Sequence, residues 1–229
     1  FVFMSNAGEG NYDLYLGNLQ GKTSQRLTDS PQKDGQPDWS PTDNTVAFVS
    51  GRDGGAHLYL LDADSRRVAS ASLGDKAYLY PRWSPDGKRI AAIYGANENH
   101  DIVLLEGDLR ALLRPKPVVA EPAAGAVAAK TPPAKPAPPP VTQRALTTWQ
   151  HDDLSPSWSP DGKRIAFYTN QNDDNDPKVW AIAVIDAGSP SKDAGLAVAV
   201  LVKDAGPAVI DAGALAVAMK DAGVAPKDA

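Results

Sequence analysis

One phrase occurs three times in this chain: PDWSPTDNTVAF at 37–48, PRWSPDGKRIAA at 81–92 and PSWSPDGKRIAF at 156–167. Its tryptophans Trp39 and Trp83 stand 44 residues apart (83 − 39), while Trp83 and Trp158 stand 75 apart (158 − 83). The surplus of 31 (75 − 44) is close to the length of a Pro/Ala-rich tract, RPKPVVAEPAAGAVAAKTPPAKPAPPPV at 114–141. That composition offers few side chains that can pack. With the tract set aside the period is constant in the low forties. A constant period of that size points to a repeat architecture and, among all-β options, to propeller blades.

Each repeat divides into four strand-like segments. A short aromatic strand ends in Trp, and SPDG at 84–87 and 159–162 follows as a tight turn. Proline presets φ at its second position and glycine accepts the left-handed conformation. The first copy reads SPTD and places Asp43 where the others have glycine. Next come TVAFVS, RIAAIY and RIAFYT, expected to be half-buried, then HLYLLD, DIVLLE and KVWAIA as third strands. A fourth strand is expected in SQRLTD (24–29), VASASL (68–73) and QRALTT (143–148).

The fold class expected is all-β: a β-propeller of four-stranded antiparallel blades, about four of them visible, compatible with part of a six-bladed ring. The domain reading is 1–113 as blades, the first lacking its inner strand, and 114–143 as a flexible insertion in a strand 3–strand 4 turn. Residues 144–185 form a further blade. Residues 186–229 are low-complexity text rich in Ala, Val, Asp and Gly, in which 207–219 aligns weakly with the repeat and reads as a degenerate blade or a tail. The chain opens at Phe1 within strand-like text and stops in mid-pattern, which favours a portion of a larger ring.

Chemistry is sparse. Lys+Arg number 23 against 28 Asp+Glu, so the net charge of −5 argues against a nucleic-acid binder, which needs basic surface to displace counterions. No apolar run reaches the length of a membrane span. Cysteine is absent, which excludes disulfides and thiolate metal sites. Neither a G-x-S-x-G elbow, an H-E-x-x-H helix nor a phosphate-binding glycine loop occurs, so no catalytic residue, cofactor or metal is expected.

The phrase P-x-W-S-P-D-G-x-x-I-A-F, followed by a polar loop, a third strand and L-T, resembles the repeat of the TolB-type propeller family. It is clearest at Trp83 to Ala92 and Trp158 to Phe167, weaker at Trp39 to Phe48, and partial at Phe3 to Thr28. The resemblance implies a non-catalytic scaffold that binds protein partners at a propeller face, in the periplasm or another extracytoplasmic setting. Similar blades also screen substrates for prolyl-oligopeptidase-like serine peptidases, whose catalytic domain this sequence lacks; that is the alternative. A propeller binding sugars or other small molecules is a third reading, suggested only by the acidic loops. Oligomeric state is not legible.

Propeller topology places the loops before third strands and before first strands on one face. The candidate partner-binding residues there are Asp53, His57, Glu98, His100, Trp149, His151, Asp152, Asp153, Asp173 and Asp174. The opposite face carries the SPDG turns with Lys88, Arg89, Lys163 and Arg164, and a face pair of unequal charge can steer a partner of opposite sign.

Overall fold

The computed structural model describes residues 1–7, 10–96, 99–114, 141–148, 152–170, 179–188 and 197–203, the last seven and 179–180 as backbone only. The first sheet is β1 (Val2–Ser5), β2 (Asp13–Asn18) and β3 (Thr23–Arg26). The second is β4 (Asp34–Trp39), β5 (Thr45–Ser50), β6 (His57–Asp62) and β7 (Val68–Ser70). The third is β8 (Ala77–Trp83), β9 (Arg89–Ala96), β10 (Asn99–Gly107) and β11 (Val141–Ala145), and the fourth is β12 (Asp153–Trp158), β13 (Arg164–Thr169), β14 (Val179–Asp186) and β15 (Ala197–Lys203). Every neighbouring pair is antiparallel and consecutive in sequence, so each sheet is a meander, as in a propeller blade.

The phrase works as its chemistry suggests. Ser84 Oγ donates to Asp86 and accepts from Arg89 N at 3.0 Å, and Gly87 closes the turn at φ +66. Ser159, Asp161, Arg164 and Gly162 (φ +68) repeat this in the fourth blade. Asp43 does not imitate Gly87: it is absent from the left-handed residues, and its carboxylate accepts instead from Thr45 N at 3.0 Å. Arg110, from the short 3-10 helix Leu109–Leu113, pairs with Asp43, donates to Ser40 Oγ and to the Gly87 carbonyl, and lies 4.9 Å above the Trp83 ring. The second and third blades are thereby bolted together at their turns.

The second strands are not half-buried. All six residues of β5 are buried, because a blade is covered on both sides: Val46 and Phe48 pack toward the first blade, Ala47 toward the third. Trp83 is 5% exposed in the core between the second and third blades, and Trp158 packs between the third and fourth, its Nε1 donating to the Arg82 carbonyl at 3.0 Å. Fourth strands are fastened by one device used three times. The hydroxyls of Thr28, Ser72 and Thr147 accept from the amides of Leu14, Leu58 and Ile102 at 3.0, 2.9 and 2.9 Å.

Two boundaries differ from the sequence-based expectation. Pairing on β10 resumes at Val141, so β11 takes up the last three residues of the 114–143 tract. Strand β15 lies inside 186–229, where it pairs with β14 and completes the fourth blade. The 207–219 alignment falls outside the described residues.

Candidate functional site

Inner strands meet the loop face at their first residues, and there the blades stop being copies. Asp34 lies opposite Ser50, Tyr78 opposite Tyr94 and Asp153 opposite Thr169, one position in three blades. Asp34 is fully buried, and Arg52 reaches both its oxygens, at 2.9 and 3.2 Å, while lying 4.8 Å from the Tyr59 ring. Tyr78 is buried too, its hydroxyl accepting from the amides of Leu73 and Gly74, both at 3.1 Å. Asp153 is also fully buried, and among the described residues no cation pairs with it. Burial pushes its carboxyl up to about 7; the Thr147 and Thr169 hydroxyls offset this in part, and Asp101 and Asp152 add to it.

Of the predicted residues, His100, Asp152 and Asp153 come together at the seam of the third and fourth blades. His100 Nδ1 lies 2.7 Å from Asp152 Oδ1, joining the hairpin of one blade to the entry strand of the next. His100 stands inside β10 and His57 opens β6, so both belong to strand ends instead of to the preceding loops. Asp53 sits apart from that seam, exposed on the second blade, where it accepts from the Tyr59 hydroxyl. Glu98, Trp149, His151, Asp173 and Asp174 lie outside the described residues. No group of three His, Asp or Glu among the described residues is arranged to hold a metal ion.

No sequence signal announced the break found in each of the three described inner strands. The register shifts between Gly35 and Asp38, Leu79 and Arg82, and Leu154 and Ser157. Within the breaks Gln36, Tyr80 and Ser155 have φ of 52, 48 and 54. Non-glycine residues rarely adopt this conformation, and a tyrosine less readily still. Gln36 Oε1 accepts from Tyr80 N at 2.7 Å, tying two bulges across the blade boundary. Tyr80 is left 42% exposed. Exposed apolar groups also occur at the loop face proper, as Tyr12 and Leu73.

Together these antiparallel meanders and the cores they share define blades of a β-propeller. Residues 1–114 match the family model described as the TolB beta propeller domain. Among solved structures, TolB from Acinetobacter baumannii is similar at 16% identity and TM-score 0.59, over 86% of this chain and 39% of that one. A putative TolB from Agrobacterium tumefaciens is similar at 17% identity and TM-score 0.60, over 88% and 61%. A prolyl endopeptidase structure gives 14% identity and TM-score 0.52, over 85% and 27%. The chain therefore spans less than two thirds of each of these proteins, and likeness at such identities concerns the fold.

Proposed function

We propose that this chain is a non-catalytic propeller scaffold that binds a protein partner at its loop face, in the bacterial envelope outside the cytoplasm. The supporting observation is the make-up of the loop end, where exposed apolar groups come from more than one blade, whereas among the described residues those of the turn end, Phe1 and Leu19, belong to the first blade alone. At the turn end, Ser84, Asp86, Ser159 and Asp161 spend their hydrogen bonds on their own turns. The loop end presents Tyr12, Leu73 and Asp53 to solvent, beside the exposed Tyr80 of an inner strand. Exposed aromatics ringed by polar groups are the usual make-up of a protein-binding surface. The resemblance to TolB propellers supports the envelope setting, and no helix among the described residues is long and apolar enough to cross a membrane.

Site-specific photo-crosslinking in a bacterial envelope tests this. A crosslinker at Leu73 should yield a discrete protein adduct, and one at Leu19, exposed on the turn end, should not. Equal adducts from both positions, or none from Leu73, contradict the reading. The prolyl endopeptidase likeness favours the alternative, a substrate gate for a peptidase. Under that reading the adduct formed at Leu73 would be a peptidase domain.

A further inference from the structure

Between the loop ends of the second and third blades lies a cavity of about 250 Å³. Its walls are Gly35, Val49, Gly51, Gly55, Ala56 and Leu79. The exposed Lys33 and the bulge residue Gln36 complete the lining. Drug-sized ligands need roughly 300–1,000 Å³, so this space suits a single side chain better than a free metabolite. Three of the wall residues have no side chain, and the other three are aliphatic. Among the described residues no aromatic ring lines the space for stacking.

The lining is braced on both sides. Asn11 Nδ2 donates to the carbonyls of Ser30 and Gln32 at 2.8 and 2.9 Å, and Asp34 N donates to the Tyr12 carbonyl at 2.8 Å, which fixes the segment carrying Lys33. The Gln36–Tyr80 bond holds the two bulged strands in register across the blade boundary. Strained backbone of this kind persists only where its surroundings over-determine it, and it concentrates at ligand clamps. Lys33 Nζ lies 5.2 Å from the exposed Tyr12 ring, and no described carboxylate pairs with it. An ammonium over an aromatic face, open to solvent, is a ready partner for a carboxylate.

We propose that this slot is an anchor site which seats one aliphatic side chain of the partner while Lys33 holds a carboxylate of the same segment. The proposal rests on the scaffold reading and narrows its partner to a protein whose C-terminal residue is aliphatic, the free terminal carboxylate being the group that Lys33 holds. Buried anchors of this type carry most of the energy of an interface, with the surrounding contacts excluding water.

N-acetyl-L-leucine carries both features and serves as the probe, with N-acetyl-L-leucinamide and N-acetylglycine as controls. Amide resonances of the whole chain are followed during titration. N-acetyl-L-leucine should shift Gly35, Gly51, Gly55 and Ala56 saturably with a millimolar Kd. The leucinamide should bind roughly 3- to 10-fold more weakly and N-acetylglycine should leave these amides unmoved. Ala56→Leu, which fills the slot from its wall, should abolish the shifts. Lys33→Gln, at an exposed position, should keep them and erase the preference for acid over amide. Absence of saturable shifts, equal shifts with N-acetylglycine, or an unchanged preference in Lys33→Gln would overturn the slot. Such a failure with the Leu73 crosslink intact leaves the scaffold reading standing. Loss of that crosslink overturns the scaffold reading whatever the slot binds.

Discussion

Asp34 and Asp153 occupy one place in two blades, five residues before the tryptophan of the repeated phrase, and both are fully buried. In the second blade Arg52 neutralises the carboxylate, its Nη2 reaching both oxygens. In the fourth the described surroundings of the carboxylate are two threonine hydroxyls and two further acids. The repeat thus fixes backbone and burial but leaves charge to each blade. A buried carboxylate with a cation stays ionised, whereas one without holds its proton to higher pH.

Breaking the better-matched site should have the largest effect. Arg52→Met leaves Asp34 buried without its cation, and should cost about 3–5 kcal/mol in urea denaturation at pH 7. A loss below about 1 kcal/mol would place the stabilisation elsewhere. Replacing both partners, as in Asp34→Asn with Arg52→Met, should recover much of that loss.

The mismatched site should respond with the opposite sign. Asp153 holds its proton in the folded chain up to about 7, while in the unfolded chain it loses it near the ordinary value of 3.8. Its contribution is therefore present in full below pH 4, falls as pH rises from 4 to 7, and stays low above that. Asp153→Asn should raise stability by about 2 kcal/mol at pH 8 and flatten the decline between pH 4 and 7. Melting curves across that range check it, and an unchanged pH slope would count against it.

Two smaller effects sharpen the contrast between the same blades. Gly162→Ala forces a side chain into a left-handed turn and should cost about 1 kcal/mol, whereas Asp43→Gly should bring no gain, because that turn is not left-handed. His100→Gln removes a partly exposed tether between the third and fourth blades. It should cost below about 1 kcal/mol, visible first as faster amide exchange at the start of β12.

The fold was legible because its punctuation is local. Tryptophan, SPDG and the alternating segments recur at one period, and propeller blades repeat their contacts with the same period. Strand β15 escaped notice because an Ala/Val run set between recurring Asp-Ala-Gly triplets looks the same in a tail as in an outer strand; β14 supplies the pairing that settles it. The bulges at Gln36, Tyr80 and Ser155 escaped because no glycine marks them, the conformation being imposed by register. At the loop face the sequence brought out Asp152, Asp153 and His100 as polar residues. It did not separate the buried acid, Asp153, from the half-buried Asp152, since burial at the first inner-strand position is set by neighbouring blades. Arg52 and Lys33 drew no attention because a lone basic residue in a loop has no pattern until its partner is in place.

The most direct test of this account is the titration of the Asp153 side-chain carboxyl by carbon NMR in the intact chain, with Asp153→Asn used to assign the resonance. A midpoint near 7 is predicted, with the Asp34 signal unaffected by Asp153→Asn. A midpoint near 4 would show that the fourth blade supplies its own compensating charge, and the difference between the two blades would not exist.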